Sequence, residues 1–598
     1  MQTEDRITPD EAHNLSQLFF ERVARCPDKV AYQYFNNTQK QWHDITWQTM
    51  ADNIGRWQNS LKAEGLNPGE RIAIMLKNSP EWVLCEQAAL GLGLVVVPLY
   101  INDRAENAAY ILDDANVKII FIDCISQYNN LKSELHRLTD LKSIVSIHAV
   151  GNEHAPLLEP LDKWLQQTDS GCQPVVSTQD KHSLASIVYT SGTTGKPKGV
   201  MLSHGNILWN AYSSSLCYPF KTTDVYLSFL PLSHMFERSI GYYLPVIAGS
   251  VVAYARSIDL LGEDLVSRQP TILVTVPRIF ERVANKIYAQ LNSKSSLANY
   301  LFRLTVDIGW LKFQVSQNKT SWKAGLLLWP LLNFLVARKI IHKLGGRMRL
   351  AISGGAPLAF NVGKLFTSLG LTISQGYGMT ESSPVVCTNR IEDNEIASVG
   401  QPLPDVEVKL GDSCELLVRS PGIMLGYWRN QVATKAVIDS DGWLHTGDQA
   451  KIHHQHIYIT GRLKEILVLS NGEKISPCDL ESAICADPIF EQAMVVGEGK
   501  AFLSALLVLD KKQFELLSSD LDQDIAADPN SEQVTERLLQ RVRSRLTEFP
   551  GYTKIYRIHA TFSGWTVENS LLTPTLKLKR HEILDYYDEI INDFYKGH

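Results

Sequence analysis

The sequence has no excess of basic residues, no CxxC pair and no long uninterrupted apolar run. Its 598 residues carry 58 Lys and Arg against 64 Asp and Glu. That balance argues against a nucleic-acid partner, because nucleic-acid-binding proteins carry a basic surface. The nine cysteines are scattered from Cys26 to Cys485, which is typical of reduced thiols and not of a disulfide framework. The acidic start lacks the features of a signal peptide, and we predict a cytoplasmic protein.

The longest apolar segment is 324–337, with the sequence AGLLLWPLLNFLVA. It is shorter than the roughly 20 residues that a bilayer-spanning helix needs, and Pro330 and Asn333 interrupt it, so we predict no membrane span. Two interpretations stay open. We favour a buried, kinked helix; the alternative is a helix on a membrane surface, which the flanking Lys323 and Arg338 would suit. The alternative would place the protein peripherally on the inner face of a membrane.

Apolar runs alternate with helical patterns over the first two thirds of the chain. Continuous apolar runs between helices predict parallel strands that are buried on both faces. The candidate strands are 71–76, 94–99, 118–123, 143–148, 271–276 and 348–353, with helices at 80–90 and 104–114. We therefore predict an α/β fold, with parallel and mixed sheets covered by helices.

The pattern changes to short strands after about residue 394. Short strands in 415–418, 451–460 and 465–469 predict a β-rich subdomain, and the stretch 451–457 lies where a hairpin turn is expected. A compact α+β pattern follows Arg462, with a helix from about Pro477, strands at 493–496 and 503–509, a helix at 531–548 and a strand at 555–562. We place the boundary between a large N-terminal domain, 1–461, and a small C-terminal domain, 462–598.

A polar loop, YTSGTTGKPKG at 189–199, directly follows the apolar run 184–188. Its glycines and hydroxyl residues give a flexible loop with many exposed donors, which suits the β- and γ-phosphates of a nucleotide. It is not the Walker loop, because GxxxxGK[ST] cannot be laid over it. The candidate phosphate contacts are Thr190, Ser191, Gly192, Thr193, Thr194, Gly195, Lys196 and Lys198.

Five further motifs follow this loop along the chain. They are SGGAPL at 353–358, QGYGMTE at 375–381, GWLHTGD at 442–448, GRLK at 461–464 and TPTLKLKR at 573–580. In kind and in order, the six motifs resemble those of the AMP-binding, or adenylate-forming, superfamily, which includes acyl-CoA synthetases, luciferases and adenylation domains of peptide synthetases. The resemblance covers roughly residues 40 to 580. It implies that ATP, Mg²⁺ and coenzyme A are used.

The resemblance assigns the nucleotide contacts. It implies that Tyr377 stacks on adenine, that Asp448 accepts the ribose hydroxyls and that Arg462 assists at the ribose or the phosphate. Paired glycines in an adenine-binding turn would let the backbone pass close to a flat base. The remaining residues of the two adenine motifs are Gly354, Gly355, Ala356, Pro357, Gln375, Gly376 and Gly378.

The catalytic candidates lie beside these contacts. Thr380 would bond the α-phosphate, and Glu381 would hold Mg²⁺, since Mg²⁺ favours one or two carboxylates plus phosphate oxygens. The resemblance also implies a loop threonine near the metal, and we assign that place to Thr190. The resemblance implies that Lys577 is the catalytic lysine of adenylation, stabilising the charge that develops on the phosphates. The neighbouring basic residues compete for that role, and we expect Lys579 and Arg580 to lie on a solvated face.

The resemblance also implies a mobile C-terminal domain. Lys464 maps to the family's hinge residue, and hinges are a few residues that absorb large backbone rotations. The loop containing Gly472 would enter the site in the second state, its glycine letting the pantetheine arm of CoA pass closely.

The substrate class is indicated by LPLSHMFER at 230–238 and by an insertion at about 297–347. Both resemble long-chain acyl-CoA synthetases, which implies that His234 lies near the acyl carboxylate and that Met235 and Phe236 begin an acyl tunnel. We therefore predict a long-chain-fatty-acid–CoA ligase of fatty acid metabolism. The alternative is an acyl-AMP ligase that delivers to a carrier protein, or another adenylate former. The resemblance further implies a homodimer.

Overall fold

Two mixed sheets and the helices that cover them make up the larger part of the computed structural model. The structure describes residues 5–148, 155, 157–166, 173–190, 196–292, 294–518, 528–567, 569–573 and 577–596. A β-rich subdomain and a smaller α+β part follow the two sheets along the chain. The predicted fold class is therefore confirmed.

The first large sheet has eight strands, and its centre is parallel. Arg71–Met75 pairs in parallel with both Val95–Pro98 and Val117–Ile122. These runs are almost wholly buried, which explains why their apolar residues are continuous instead of alternating. In spatial order the strands are Gly426–Tyr427, Lys198–Ser203, Leu184–Thr190, Val95–Pro98, Arg71–Met75, Val117–Ile122, Ser143–Ser146 and Leu158–Pro160.

The second large sheet has nine strands and positions the middle motifs. Ile272–Thr275, Leu350–Ser353 and Ile373–Gly378 are neighbouring parallel strands. The carboxyl ends of parallel strands meet at one edge of a sheet, where ligands of open α/β sheets bind. In spatial order the strands are Gln401–Pro402, Val385–Thr388, Ile373–Gly378, Leu350–Ser353, Ile272–Thr275, Val225–Ser228, Val251–Tyr254, Val30–Asn36 and Gln41–Thr46.

Helices cover both sheets. The helix Pro80–Gly91 begins where the Ser79 side chain accepts the Trp82 N–H, and eleven of its twelve residues are buried. Among the described residues up to 430, the other α-helices are Leu15–Arg25, Trp47–Ala63, Ala105–Asp114, Ile125–Leu131, Leu161–Gln166, His204–Ser215, Leu244–Ala248, Leu261–Arg268, Pro277–Asn292, Ser296–Ser316, Trp329–Leu332, Arg338–His342 and Phe360–Ser368. A π-helical segment, Glu237–Tyr243, precedes Leu244–Ala248.

The β-rich subdomain is an antiparallel sheet of Glu407–Leu410, Glu415–Arg419, Leu444–His453 and His456–Arg462. The helix Gln431–Lys435 lies between its second and third strands in the chain. The hairpin turn predicted within 451–457 is confirmed. His454 and Gln455 both have positive φ and form a two-residue turn, so that this stretch is a hairpin. The strand predicted at 465–469 shortens to Leu467–Val468, which pairs with Lys474–Ile475.

The C-terminal part has its own three-stranded sheet, Phe490–Val496, Leu503–Leu509 and Ile555–Thr561. Its helices are Pro477–Cys485, Lys511–Ser518, Glu532–Arg545, Arg580–Tyr586 and Asp588–Phe594. The predicted elements of this part are confirmed, with ends that move by up to three residues. The boundary between residues 461 and 462 falls at the end of strand His456–Arg462 and stays a prediction.

The apolar segment at 324–337 is helical but exposed. It belongs to a continuous helical stretch, Ala324–His342, of which only 11% is buried in the most apolar part. The favoured expectation of a buried helix is therefore wrong. Among the described residues this is also the one helix that is long and apolar enough to cross a membrane, by length and composition alone.

Candidate active site

The candidate phosphate loop joins strand Leu184–Thr190 to strand Lys198–Ser203. Thr190 and Lys198 are paired residues of this antiparallel ladder. The Lys198 ammonium lies 5.2 Å from the centre of the Tyr427 ring, and the Lys196 ammonium lies 5.1 Å from that of Tyr110. Two cations are thus held at one end of the loop. The candidates Ser191, Gly192, Thr193, Thr194 and Gly195 lie outside the described residues.

Tyr427 connects this loop to Glu381. The short strand Gly426–Tyr427 pairs with Lys198–Ser203, and the Tyr427 hydroxyl donates to Glu381 Oε1 at 2.9 Å. Burial and the Glu381 charge raise the pKa of Tyr427, which keeps the hydroxyl protonated and donating. Sequence analysis missed Tyr427, because its role depends on a strand pairing between residues that are more than 200 positions apart in the chain.

The residues present fit a magnesium ion that is held mainly by its nucleotide. Among the described residues, no group of three or more His, Cys, Asp and Glu side chains is placed to hold a metal alone. Glu381 is buried in the turn Thr380–Ser382 and offers a single carboxylate that Tyr427 links to strand Lys198–Ser203, the neighbour of the strand that ends at Thr190. One carboxylate and one hydroxyl, with phosphate oxygens and waters, is a set that Mg²⁺ accepts.

Asp448 is held from two sides. The Tyr377 hydroxyl donates to Asp448 Oδ2 at 2.5 Å, and Arg462 Nε donates to Oδ1 at 2.9 Å. An ionised carboxylate has about four acceptor positions, so each oxygen keeps capacity for one ribose hydroxyl. The two partners fix the orientation of the buried carboxylate. The stacking of Tyr377 on adenine stays a prediction. The hydrogen bond to Asp448 fixes the position of the Tyr377 hydroxyl.

Two glycines are required in the candidate adenine-binding turn, each for a different physical reason. Gly355 has a φ of +80°, which favours glycine at that position. A Cβ at Gly354 would lie 2.9 Å from Phe236 Cζ, so only a glycine lets the segment 234–236 approach the turn this closely. The turn then continues into Ala356 and Pro357. The site therefore brings the adenine motif and the proposed acyl motif into contact.

Gln375, Gly376 and Gly378 line the neighbouring strand end. A Cβ at Gly378 would lie 2.1 Å from the Pro384 carbonyl, so this glycine is required by hairpin packing. Gln375 Oε1 is buried and has no hydrogen-bond partner among the described residues. Because an unpaired buried acceptor is costly, this oxygen suits a ligand donor such as an amino group.

His234 is neutral in this setting. The Phe236 N–H donates to His234 Nδ1 at 3.2 Å, which leaves the proton of the neutral ring on Nε2. Burial and the charge of Lys577 lower the pKa of His234 to about 4. The influence of Lys577 also means that the C-terminal lysine approaches His234 in this structure.

We predict that adenylation shows no ionisation from His234 near pH 6.5. The folded-state pKa of about 4 lies below the usual 6.5, so the neutral ring persists as pH falls from 8 to 5. Pre-steady-state diphosphate release should be compared between the unmodified protein and His234→Gln across that range. An inflection near pH 6.5 that His234→Gln removes would contradict the assignment.

Lys577 is hydrogen-bonded to Thr573 and lies near Asp448, the candidate ribose carboxylate. The Thr573 N–H donates to the Lys577 carbonyl at 2.8 Å, and the Lys577 N–H donates to Thr573 Oγ1 at 3.0 Å. Burial lowers the pKa of Lys577, although the residue keeps contact with solvent, and the charge of Arg462 lowers this pKa further. The charge of Asp448 acts in the opposite direction and raises it. Lys577, Arg462 and Asp448 therefore converge on one place.

The expectation of a solvated face is wrong for Arg580. Its guanidinium makes a two-pronged ion pair with Glu481, at 2.9 and 2.5 Å, and is largely buried. This pair anchors the start of helix Arg580–Tyr586 to helix Pro477–Cys485 and so fixes the segment that carries Lys577. The charge of Lys579 acts on Asp103 of the N-terminal part and lowers the pKa of that carboxyl, against the larger effect of burial.

A buried ion pair joins helix Pro80–Gly91 to the π-helical segment that follows His234. The fully buried guanidinium of Arg238 contacts Glu86 and donates to Ser186 Oγ at 2.8 Å. Ser186 lies on the strand that leads into the phosphate loop, and Arg238 follows His234 by one helical turn. Sequence analysis did not identify this pair. Removing one partner of such a pair leaves an uncompensated buried charge, so the pair holds these two segments together.

The hinge candidates lie where the two parts of the chain meet. Lys464 is exposed in a turn after strand His456–Arg462, closed by the Glu465 N–H donating to the Arg462 carbonyl at 2.9 Å. Gly472 has a φ of +86° in the turn between Leu467–Val468 and Lys474–Ile475, which favours glycine there. Among the described residues, neither Lys464 nor Gly472 is hydrogen-bonded to Asp448. The roles of both residues stay predictions.

Comparison with known proteins adds to this geometry. Residues 19–428 match the family model "AMP-binding enzyme", and residues 464–598 match "AMP-binding enzyme C-terminal domain". Long-chain-fatty-acid–CoA ligase FadD15 of Mycobacterium bovis is 30% identical over 98% of each chain. Long-chain-fatty-acid–[acyl-carrier-protein] ligase AEE15 of Arabidopsis thaliana is 27% identical over 94% of this chain and 84% of its own.

A solved structure supports the fold alone. Anthranilate CoA ligase AuaEII, in complex with anthranoyl-AMP, superposes with a TM-score of 0.74 at 18% identity, covering 97% of this chain and 98% of its own.

Proposed function

Because the chain belongs to the AMP-binding enzyme family, we propose that it is a ligase for long-chain fatty acids. It activates the acid with ATP to acyl-AMP and diphosphate, then transfers the acyl group to CoA to give acyl-CoA and AMP. The observation that carries the proposal is the convergence of Asp448, Arg462 and Lys577 at one place, beside His234. The long-chain substrate is supported by the full-length similarity to a ligase of that name.

Adenylation uses fixed charges instead of an enzyme nucleophile. A carboxylate oxygen of the acid attacks the α-phosphorus of ATP, and the bond to the diphosphate oxygen breaks. Lys577 stabilises the negative charge that develops there, and Asp448 orients the ribose. Neutral His234 can donate from Nε2 to the acid without adding charge. Glu381 and Thr190 would hold the Mg²⁺, which supplies charge neutralisation on the phosphates.

Thioester formation makes the opposite demand on the same space. The CoA thiol, losing its proton, attacks the acyl carbonyl, and the bond to the AMP phosphate oxygen breaks. Lys577 must then leave, so we propose that the C-terminal domain rotates at Lys464 and brings the loop of Gly472 towards the acyl-AMP.

The acceptor distinguishes the proposed ligase from its alternative. Palmitate, ATP and Mg²⁺ are supplied with CoA, with acyl carrier protein or with neither, and thioesters are identified by mass spectrometry. Palmitoyl-CoA is expected, with acyl-AMP accumulating when no acceptor is given. Acylated carrier protein without palmitoyl-CoA would contradict the proposal and support the carrier-directed alternative.

We also propose that helix Ala324–His342 lies on an anionic membrane surface. Its side chains Leu327 and Phe334 are 73% and 65% exposed, an unusual concentration of free apolar surface for a helix. Residues 308–380 contain nine Lys and Arg and no Asp or Glu, which suits anionic lipid headgroups. An amphipathic contact of this kind would give a cytoplasmic, peripheral protein that takes its acid from the bilayer.

Replacing Leu327 and Phe334 by Ser should reduce co-sedimentation with phosphatidylglycerol vesicles by at least about tenfold, because two exposed apolar anchors are lost. The control is Val432→Ser with Leu516→Ser, two apolar side chains that are 83% and 69% exposed elsewhere. Both variants should keep activity on a soluble short acid. Unchanged sedimentation would contradict the proposal. Conversion of a dimer to a monomer by Leu327→Ser with Phe334→Ser would assign the surface to a second copy, the predicted homodimer, instead.

A further inference from the structure

Three cations meet at the junction of the two parts of the chain, and one carboxylate lies among them. Arg462 Nη1 is 3.8 Å from Glu465 Oε1, and Arg580 Nε is 3.5 Å from Glu465 Oε2. Glu465 also opposes the effects of burial and of Arg462 on Lys577, by raising the pKa of that lysine. The carboxylate therefore acts on all three cations.

The other two acids of this region are already committed. Asp448 is hydrogen-bonded to Arg462, and Glu481 makes the two-pronged pair with Arg580. Among the described residues, no hydrogen bond or ion pair ties the Lys577 ammonium to a carboxylate, and the charge of Arg462 repels it. The charges of Asp448 and then of Glu465 act against this repulsion. Because Asp448 is already held by Arg462 and Tyr377, Glu465 is the further carboxylate that offsets it.

The backbone makes the Arg462–Glu465 contact depend on the hinge. The Glu465 and Ile466 N–H groups both donate to the Arg462 carbonyl, at 2.9 and 3.1 Å, around Lys464. Rotation at Lys464 would open this turn and carry Glu465 away from Arg462. Arg580 and Glu481 lie on the same side of the hinge as Glu465 and would move with it. The pair with Arg462 therefore exists only in arrangements similar to this one.

We propose that Glu465 is a positioning residue for adenylation, which offsets the repulsion between Arg462 and Lys577 and so favours the arrangement with Lys577 at the nucleotide. This inference rests on the proposed two-step function. A partly exposed ion pair changes an equilibrium constant only a few-fold. Glu465 therefore biases the domain arrangement without blocking the rotation that thioester formation needs.

The test separates the two half-reactions in Glu465→Gln. Diphosphate release in a single turnover should slow by about threefold to tenfold, since the arrangement with Lys577 in place is populated less. Palmitoyl-CoA formation from preformed palmitoyl-AMP should be unchanged or faster. Glu465→Asp, which keeps the charge, should recover part of the adenylation rate. Glu491→Gln, an exposed acid on strand Phe490–Val496, is the control and should change neither step.

Equal loss of both half-reactions in Glu465→Gln, or unchanged adenylation, would overturn the inference. Failure of the unmodified protein to form acyl-AMP would instead overturn the proposed function on which it rests. Thermal unfolding of each variant shows whether the fold is kept; if Glu465→Gln is unstable, the split between the two steps is measured in Glu465→Asp, where adenylation alone should slow.

Discussion

Lys577→Ala should slow acyl-adenylate formation by a factor on the order of 10²–10³, the cost of removing one preorganised group that stabilises developing charge. Transfer from preformed palmitoyl-AMP to CoA should stay near its normal rate, because Lys577 has to leave the site for that step. The two rates are measured separately, by diphosphate release in a single turnover and by thioester yield from palmitoyl-AMP.

The control for Lys577→Ala is Lys512→Ala, an exposed lysine on helix Lys511–Ser518 of the same part of the chain. It should leave both steps unchanged. Equal damage to adenylation and thioester formation by Lys577→Ala, in a protein that remains folded, would contradict the assignment of Lys577 to the first step alone. The same result would weaken the proposed rotation at Lys464.

Glu381→Ala should lower the rate of adenylation by a factor on the order of 10² or more, because the carboxylate that orients the metal and its phosphates is lost. The effect should persist at every Mg²⁺ concentration if the loss is in the transition state. Rates are measured as diphosphate release over a Mg²⁺ titration. Near-normal turnover at saturating Mg²⁺ would show that Glu381 does not have this role.

Tyr427→Phe is the matched comparison for Glu381→Ala. It removes the hydroxyl that donates to Glu381 at 2.9 Å and keeps the carboxylate itself. A hydrogen bond to a charged group is worth about 1.5–3 kcal/mol in total, and only the part that differs between ground state and transition state affects the rate, so the rate should fall less than in Glu381→Ala. A loss as large as that of Glu381→Ala would mean that Tyr427 contacts the substrate directly.

The strands of the two large sheets could be predicted because burial on both faces leaves a continuous apolar run in the sequence. The runs at 71–76 and 348–353 are seen as Arg71–Met75 and Leu350–Ser353. The hairpin turn within 451–457 could be predicted, but its two residues could not be named, because His454 and Gln455 carry no Gly or Asn–Gly signal. The exposure of helix Ala324–His342 was also missed, since an apolar helix has the same composition in a core and on a membrane.

The motifs of the candidate site could be predicted from the sequence, but the contacts between the motifs could not. Asp448 and Arg462 belong to separate motifs, and the structure joins them by a hydrogen bond. Tyr427 and Glu465 carry no local signal, because each acquires its role through a partner that only the fold brings near. The phosphate loop from Ser191 to Gly195 remains a prediction from sequence, since those residues lie outside the described part of the chain.

The nucleotide product formed from palmitate, ATP, Mg²⁺ and CoA tests the proposed reaction most directly. AMP and diphosphate are expected in a one-to-one ratio with palmitoyl-CoA, and neither should form when palmitate is left out. Attack at the α-phosphorus, with Lys577, Asp448 and Arg462 gathered at one place, requires that pair of products. Release of ADP and phosphate, or cleavage of ATP that does not depend on palmitate, would contradict it.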